Sequence, residues 1–203
     1  FRLDRSQAVT ADQEHAYLPE QMAFHAGLMD LFPKSVGRGD KPKDPNSPLH
    51  NTGLTMGYFD GNTVTAYWNY AQRFTLSDNS FGSTFGPSTP GAINLVSGQT
   101  NGIKETRNGK GGLTDGGHGS LTMIEDPNPL GDICSAPTQE QVSLGGRNIG
   151  DMLSEAGVTW GWFQGGFNLT IQNPNGTSGC KRSTVSPISG KPVLDYCPHH
   201  EPF

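Results

Sequence analysis

Phe85-Gly86-Pro87-Ser88-Thr89-Pro90-Gly91-Ala92-Ile93-Asn94-Leu95-Val96-Ser97-Gly98 places hydroxyl residues among prolines and glycines, directly ahead of an apolar run. Pro90 follows Ser88 by two residues, where a fixed φ and a missing N–H cost a starting helix nothing. The pattern predicts a helix with the Ser88 hydroxyl at its N-terminus. Free backbone N–H groups and the helix dipole favour an anion there. A serine that attacks a phosphoryl group needs this setting, but the same pattern also serves a serine that merely caps a helix or makes a turn.

Outward from this stretch, helical and extended patterns alternate. Phe24, Leu28, Leu31 and Phe32 recur at helical spacing in a segment that opens with Pro19-Glu20, which predicts a helix over 19–32. Residues 34–51 are rich in Gly, Pro, Asp and Lys and read as a surface loop. Asn62 is placed to cap a second helix whose face is Val64, Tyr67, Trp68 and Ala71. Phe74 to Phe81 reads as a short strand or extended run leading to Ser88. Residues 100–143 are the least regular part and are expected to be a long loop insertion. No GxxxxGK[ST] or GxGxxG pattern makes that insertion a nucleotide cradle. Ile149, Met152, Leu153 and Ala156 form a helix face that Gly157 ends, and Val158 to Phe163 reads as a buried strand in which Trp160, Trp162 and Phe163 pack. Helix-then-strand order predicts an α/β layered domain with long Gly/Pro-rich loops.

At 203 residues the chain suffices for one ordinary domain with a core. Its 28 glycines and 15 prolines stay below the share that suggests disorder, so long loops over a compact core are expected. A net charge of −5 without a basic stripe argues against nucleic acid as a partner. No apolar run approaches the roughly 18 to 20 residues that span a bilayer. None of Cys134, Cys180 and Cys197 lies in a CxxC pair, which argues against a zinc ribbon or thioredoxin-type site. Cys180 and Cys197 flank a Ser/Pro/Gly-rich segment, and a disulfide closing it would stabilise by roughly 3 kcal/mol in the chain-entropy model. Cys134 is then left over, or paired with something outside this chain; three free thiols in a reducing compartment are the alternative.

Seven collinear motifs carry a resemblance. They are Thr10-Ala11-Asp12-Gln13-Glu14-His15-Ala16-Tyr17, Met56-Gly57-Tyr58-Phe59-Asp60-Gly61-Asn62-Thr63, Trp68-Asn69-Tyr70-Ala71, Leu76-Ser77-Asp78-Asn79-Ser80-Phe81, Gly86-Pro87-Ser88, Trp160-Gly161-Trp162-Phe163 and Pro198-His199-His200-Glu201-Pro202-Phe203. In this order and over nearly the whole chain, they resemble the secreted bacterial phosphoesterase family of acid phosphatases and phosphatidylcholine-type phospholipases C. Gly91-Ala92, where the phospholipase branch tends to carry Asn-Arg, favours the phosphatase branch.

The resemblance implies an alkaline-phosphatase-like layered core, here partial, with residues 1–203 forming part of one catalytic domain. It implies Ser88 as nucleophile and metal contact, with a divalent metal ion assisting, and His15, His199 and His200 holding phosphate oxygens or the leaving group. Two histidines titrating near neutral pH suit both tasks. Asp78, ten residues before Ser88, either orients the site or caps a turn; Asp60 is expected to serve a turn. The family's other metal ligands, an early Glu-Asn pair and a later Asp-Asp pair, are expected to fall outside these residues, on the remainder of the same polypeptide. The implied substrate is a small phosphate ester or a phospholipid head group, and the implied location is secreted or periplasmic. A non-catalytic binding fragment is the competing reading. An acyl-transferring serine hydrolase is disfavoured because no G-x-S-x-G elbow occurs.

Overall fold

The computed structural model describes residues 2–37, 46, 52–109, 111–117, 119–164 and 166–203. Most of the loop expected over 34–51 lies outside the described residues. The chain divides into two compact units, Phe1–Gly82 with Ser186–Lys191, and Ser83–Val185 with Pro192–Phe203. Helices mix with several small sheets, consistent with the partial α/β fold expected from the sequence.

In the first unit, β1 (Arg2–Leu3) and β2 (Tyr58–Phe59) pair in parallel, Leu3 opposite Phe59. Leu3, Ala11 and Leu54 form its small core, with Ile188 packed against them. Helix α1 (Tyr17–Phe24) packs against α2 (Phe32–Ser35), so the single helix expected over 19–32 is broken in two. The break comes from the backbone: His25, Ala26 and Met29 have φ of 44°, 52° and 56°, which no right-handed helix continues through. Leu28 consequently faces solvent.

The Asp60 turn is as expected, its Oδ1 accepting from the N–H groups of Asn62 and Thr63 at 3.1 Å each. Asn62 does not cap α3 (Thr65–Ala71), because that turn occupies it and Val64 stands at the cap without a side-chain bond. Gly61 is required there, since a Cβ would meet the Trp68 ring at 2.8 Å. Phe74 to Phe81 forms no strand.

In the second unit, α4 (Ser88–Ser97) starts at the predicted serine and ends at Gly98, whose φ of 68° gives the left-handed cap. Residues 100–143 are not a bare loop. They carry β3 (Ile103–Arg107), the β4 (Leu113–Asp115) and β5 (Leu121–Met123) hairpin, β6 (Asn128–Pro129) and the start of β7 (Gln141–Leu144). The central sheet has the order β3-β7-β6, with β3–β7 antiparallel and β6–β7 parallel. Ile93 of α4 packs with Met123 and Val142, flanked by Ile103, Leu113 and Leu144, which seats the helix against these strands. The strands escaped sequence reading because they are short and their polar outer residues leave no long alternation.

Helix α5 (Ile149–Glu155) begins with an Asn148/Asp151 capping box, and Gly157 follows it at φ 68°. The buried strand expected over 158–163 is absent. Trp160 and Trp162 are half exposed and Phe163 is 94% exposed, so they are not core residues. Trp160 instead folds back on α5, where its Nε1–H donates to Ser154 Oγ at 2.9 Å and its ring lies so close to Gly150 that a Cβ would clash.

The disulfide also differs from expectation. Cys134 bonds Cys180, with Cα atoms 5.3 Å apart, and Cys197 is free. Strands β8 (Ser183–Val185) and β9 (Pro192–Leu194) pair antiparallel, but the chain diverges beyond them. Cys180 enters a short 3₁₀ turn, Gly179–Lys181, beside the turn at Asp132. Cys197 instead caps a second 3₁₀ turn, Pro198–His200, its carbonyl accepting the His200 N–H at 2.9 Å. Proximity in sequence across the hairpin therefore does not become proximity of the sulfurs.

Candidate active site

Ser88 is the first residue of α4, and its neighbours Pro87, Thr89 and Pro90 are buried while it is exposed. The hydroxyl thus stands at the N-terminus of a ten-residue helix whose next turn is locked into the unit. Ala92, one turn on, shares its face. Ser88, Ala92, His199, His200 and Pro202 line one cavity of about 160 Å³. Three of the five residues expected at the site therefore converge within the second unit.

Thr89 fixes this convergence. Only 3% exposed, it donates its N–H to Asp126 Oδ1 at 2.9 Å and its hydroxyl to the His199 carbonyl at 2.7 Å. The Asp126 carboxylate thereby supplies the anion that a helix N-terminus favours. Its Oδ2 lies 3.9 Å from His199 Nε2, on the same flank. His199 Nδ1 is 3.1 Å from Asn128 Oδ1, and Asn128 Nδ2 donates to Gln139 Oε1 at 2.8 Å. The amide network assigns Asn128 Oδ1 as acceptor, so the neutral imidazole carries its proton on Nδ1 and a lone pair on Nε2. Asn128 is 5% exposed and pairs with Gln141 of β7, which makes the support rigid.

Burial lowers the His199 pKa below the ordinary histidine value; Asp126 opposes that, and His200, in edge contact at 4.5 Å, adds to it. Burial, then Asp126, raises the Cys197 thiol.

Removing the Asp126 carboxylate tests this scaffold. Asp126→Ala should cost about 1 kcal/mol as a lost helix cap, read as a lower urea midpoint. Asp126→Asn keeps an acceptor for Thr89 and should lose clearly less. Equal losses in the two variants would show that the bond to Thr89 is not what Asp126 contributes.

His15 and Asp78 belong to the first unit. His15 Nδ1 lies 2.8 Å from the Gln13 carbonyl and 3.9 Å from Asp12. Asp78 is exposed in an irregular stretch. Asp126 and Asn128 were not anticipated; the Asp126-Pro127-Asn128-Pro129 run, with polar residues fixed between prolines, was the available signal.

For a divalent ion, the donors around Ser88 are a hydroxyl and two imidazoles, with the Cys197 thiol adjoining. Ligand atoms of Cys197, His199 and His200 lie within 4.8 Å of one another. This set suits an ion that accepts imidazole, such as zinc; magnesium and calcium take carboxylate and carbonyl oxygens. Among the described residues, no helix is long and apolar enough to cross a membrane. Compared with known proteins, residues 1–201 match the family model described as Phosphoesterase family.

Proposed function

The chain belongs to the phosphoesterase family, and we propose that it is a phosphoric ester hydrolase of the acid phosphatase type, acting on phosphomonoesters through Ser88. In this reading Ser88 Oγ attacks phosphorus, the ester P–O bond breaks, and water then cleaves the phosphoserine to release phosphate. His199 and His200 hold phosphate oxygens, and one of them gives a proton to the leaving alkoxide. A divalent ion, when bound, would lower the Ser88 hydroxyl pKa and neutralise charge developing on phosphorus. Ser88 is its contact in this chain by the family resemblance.

The observation that carries the phosphatase reading is the His199–Asn128 bond. With Nδ1–H committed to Asn128, Nε2 donates to a phosphate oxygen only after gaining a second proton. Since His199 titrates below its ordinary value of about 6.5, that donor is present in acid and lost as pH rises. An acid optimum follows. A secreted or periplasmic location belongs to the same proposal, supported by the Cys134–Cys180 bridge, because such bonds persist in oxidising compartments.

The test compares p-nitrophenyl phosphate with phosphatidylcholine across pH. We expect monoester turnover that declines from acid toward neutral pH, and little release of phosphocholine. Preferential phosphocholine release would assign the phospholipase branch instead. Binding of inorganic phosphate without turnover of either substrate would assign a non-catalytic binding module.

A further inference from the structure

We propose that Cys197, His199 and His200 form a binding site for one zinc-class divalent ion, and that this ion competes with phosphate for the imidazoles. The competition rests on the function proposed above; the metal site itself does not.

Four features point to it. Among the described residues, these are the one group of three His, Cys, Asp or Glu side chains whose ligand atoms lie within 4.8 Å of one another. Cys197 stays unpaired in a chain that does form a disulfide, and it is half-buried beside the two rings rather than displayed on the surface. His199 is already oriented as a metal ligand usually is: its Nδ1–H is held by Asn128, itself held by Gln139, which leaves the Nε2 lone pair free. Asp126 Oδ2, 3.9 Å from that Nε2, brings a negative charge to the same flank and compensates a cation there.

The geometry is close to what the ion needs. Tetrahedral bonds of about 2.0 to 2.3 Å put ligand atoms about 3.5 Å apart. Closing a spacing of 4.8 Å to that value takes roughly 0.8 Å of movement per atom, within the reach of side-chain torsions. One sulfur and two nitrogens select zinc-class ions over magnesium or calcium. Binding releases the Cys197 thiol proton to solvent and forms the metal–thiolate bond. An ion held by His199 and His200 occupies the imidazoles that face the cavity beside Ser88, where phosphate would otherwise sit.

The experiment titrates the purified protein with zinc and, separately, with cobalt(II), following stoichiometry by calorimetry and cobalt by its thiolate charge-transfer absorption. One equivalent should bind with that band present. Cys197→Ser should abolish the band and weaken zinc by about ten-fold or more. His200→Asn, read by the cobalt spectrum alone, should shift the ligand-field bands. Zinc should inhibit p-nitrophenyl phosphate turnover in the native protein, and Cys197→Ser should raise the zinc concentration that halves its own turnover by about ten-fold or more. Absence of the band, or equal zinc affinity in Cys197→Ser, overturns the site. Thiolate binding without inhibition overturns the competition, and a thiolate band in a protein that turns over no ester leaves the site standing while the catalytic reading fails.

Discussion

If Ser88 is the nucleophile proposed above, replacing it by alanine is expected to lower phosphomonoester turnover by about a thousand-fold or more, because Ser88 carries the one hydroxyl among the described residues that line the cavity. Thr89 does not step in. It is buried, and its hydroxyl is already donated to the His199 carbonyl. Stability should stay within about 0.5 kcal/mol of the native value, since an exposed hydroxyl is all that is lost. Steady-state turnover and a denaturant melt check the two halves. Mass spectrometry of acid-quenched turnover should find phosphate on the peptide containing Ser88 and none in the variant. Turnover near the native rate would remove serine catalysis from this protein altogether.

The second large effect concerns the covalent bridge. Cys134 and Cys180 close a loop of 46 residues that includes β7, α5 and the Trp160–Phe163 stretch. In the chain-entropy model that constraint is worth about 4 kcal/mol against the unfolded state. A Cys134→Ser, Cys180→Ser double variant should lose stability of that order in urea, a large part of the 5 to 15 kcal/mol that typical domains possess. Cys197→Ser should change it little. Peptide mapping that recovers Cys197 in a disulfide with Cys180 would contradict this assignment.

What the sequence disclosed followed from how local each signal was. The start of α4 at Ser88, its end at Gly98, the Asp60 turn and the end of α5 at Gly157 are set within a few residues by proline, glycine and side-chain capping. All of these were readable. The strands between Ile103 and Leu144 depend on partners tens of residues away, and the longest has five residues, too few for a periodic pattern to emerge. The break in the first helix is a matter of backbone angles at His25 and Ala26, residue types that do not ordinarily announce a left-handed turn. Trp160 and Phe163 misled because large apolar residues usually mean burial, and here they face solvent. Of the residues singled out by their motifs, Ser88, His199 and His200 line one cavity. Asp126 and Asn128 were not legible, since their roles arise only when β6 is laid beside the Pro198–His200 turn.

Thr89 also bears on the order in which this protein becomes competent. Its two bonds reach 37 residues onward to Asp126 and 110 residues onward to His199. Closing the longer span carries an entropic toll that grows only with the logarithm of its length, but such contacts tend to form late on the folding path. During synthesis the serine emerges well before the histidines do. A ribosome-bound chain would therefore carry Ser88 before His199 and His200 exist, and the cavity that the three residues line forms only when the Pro198–His200 turn docks.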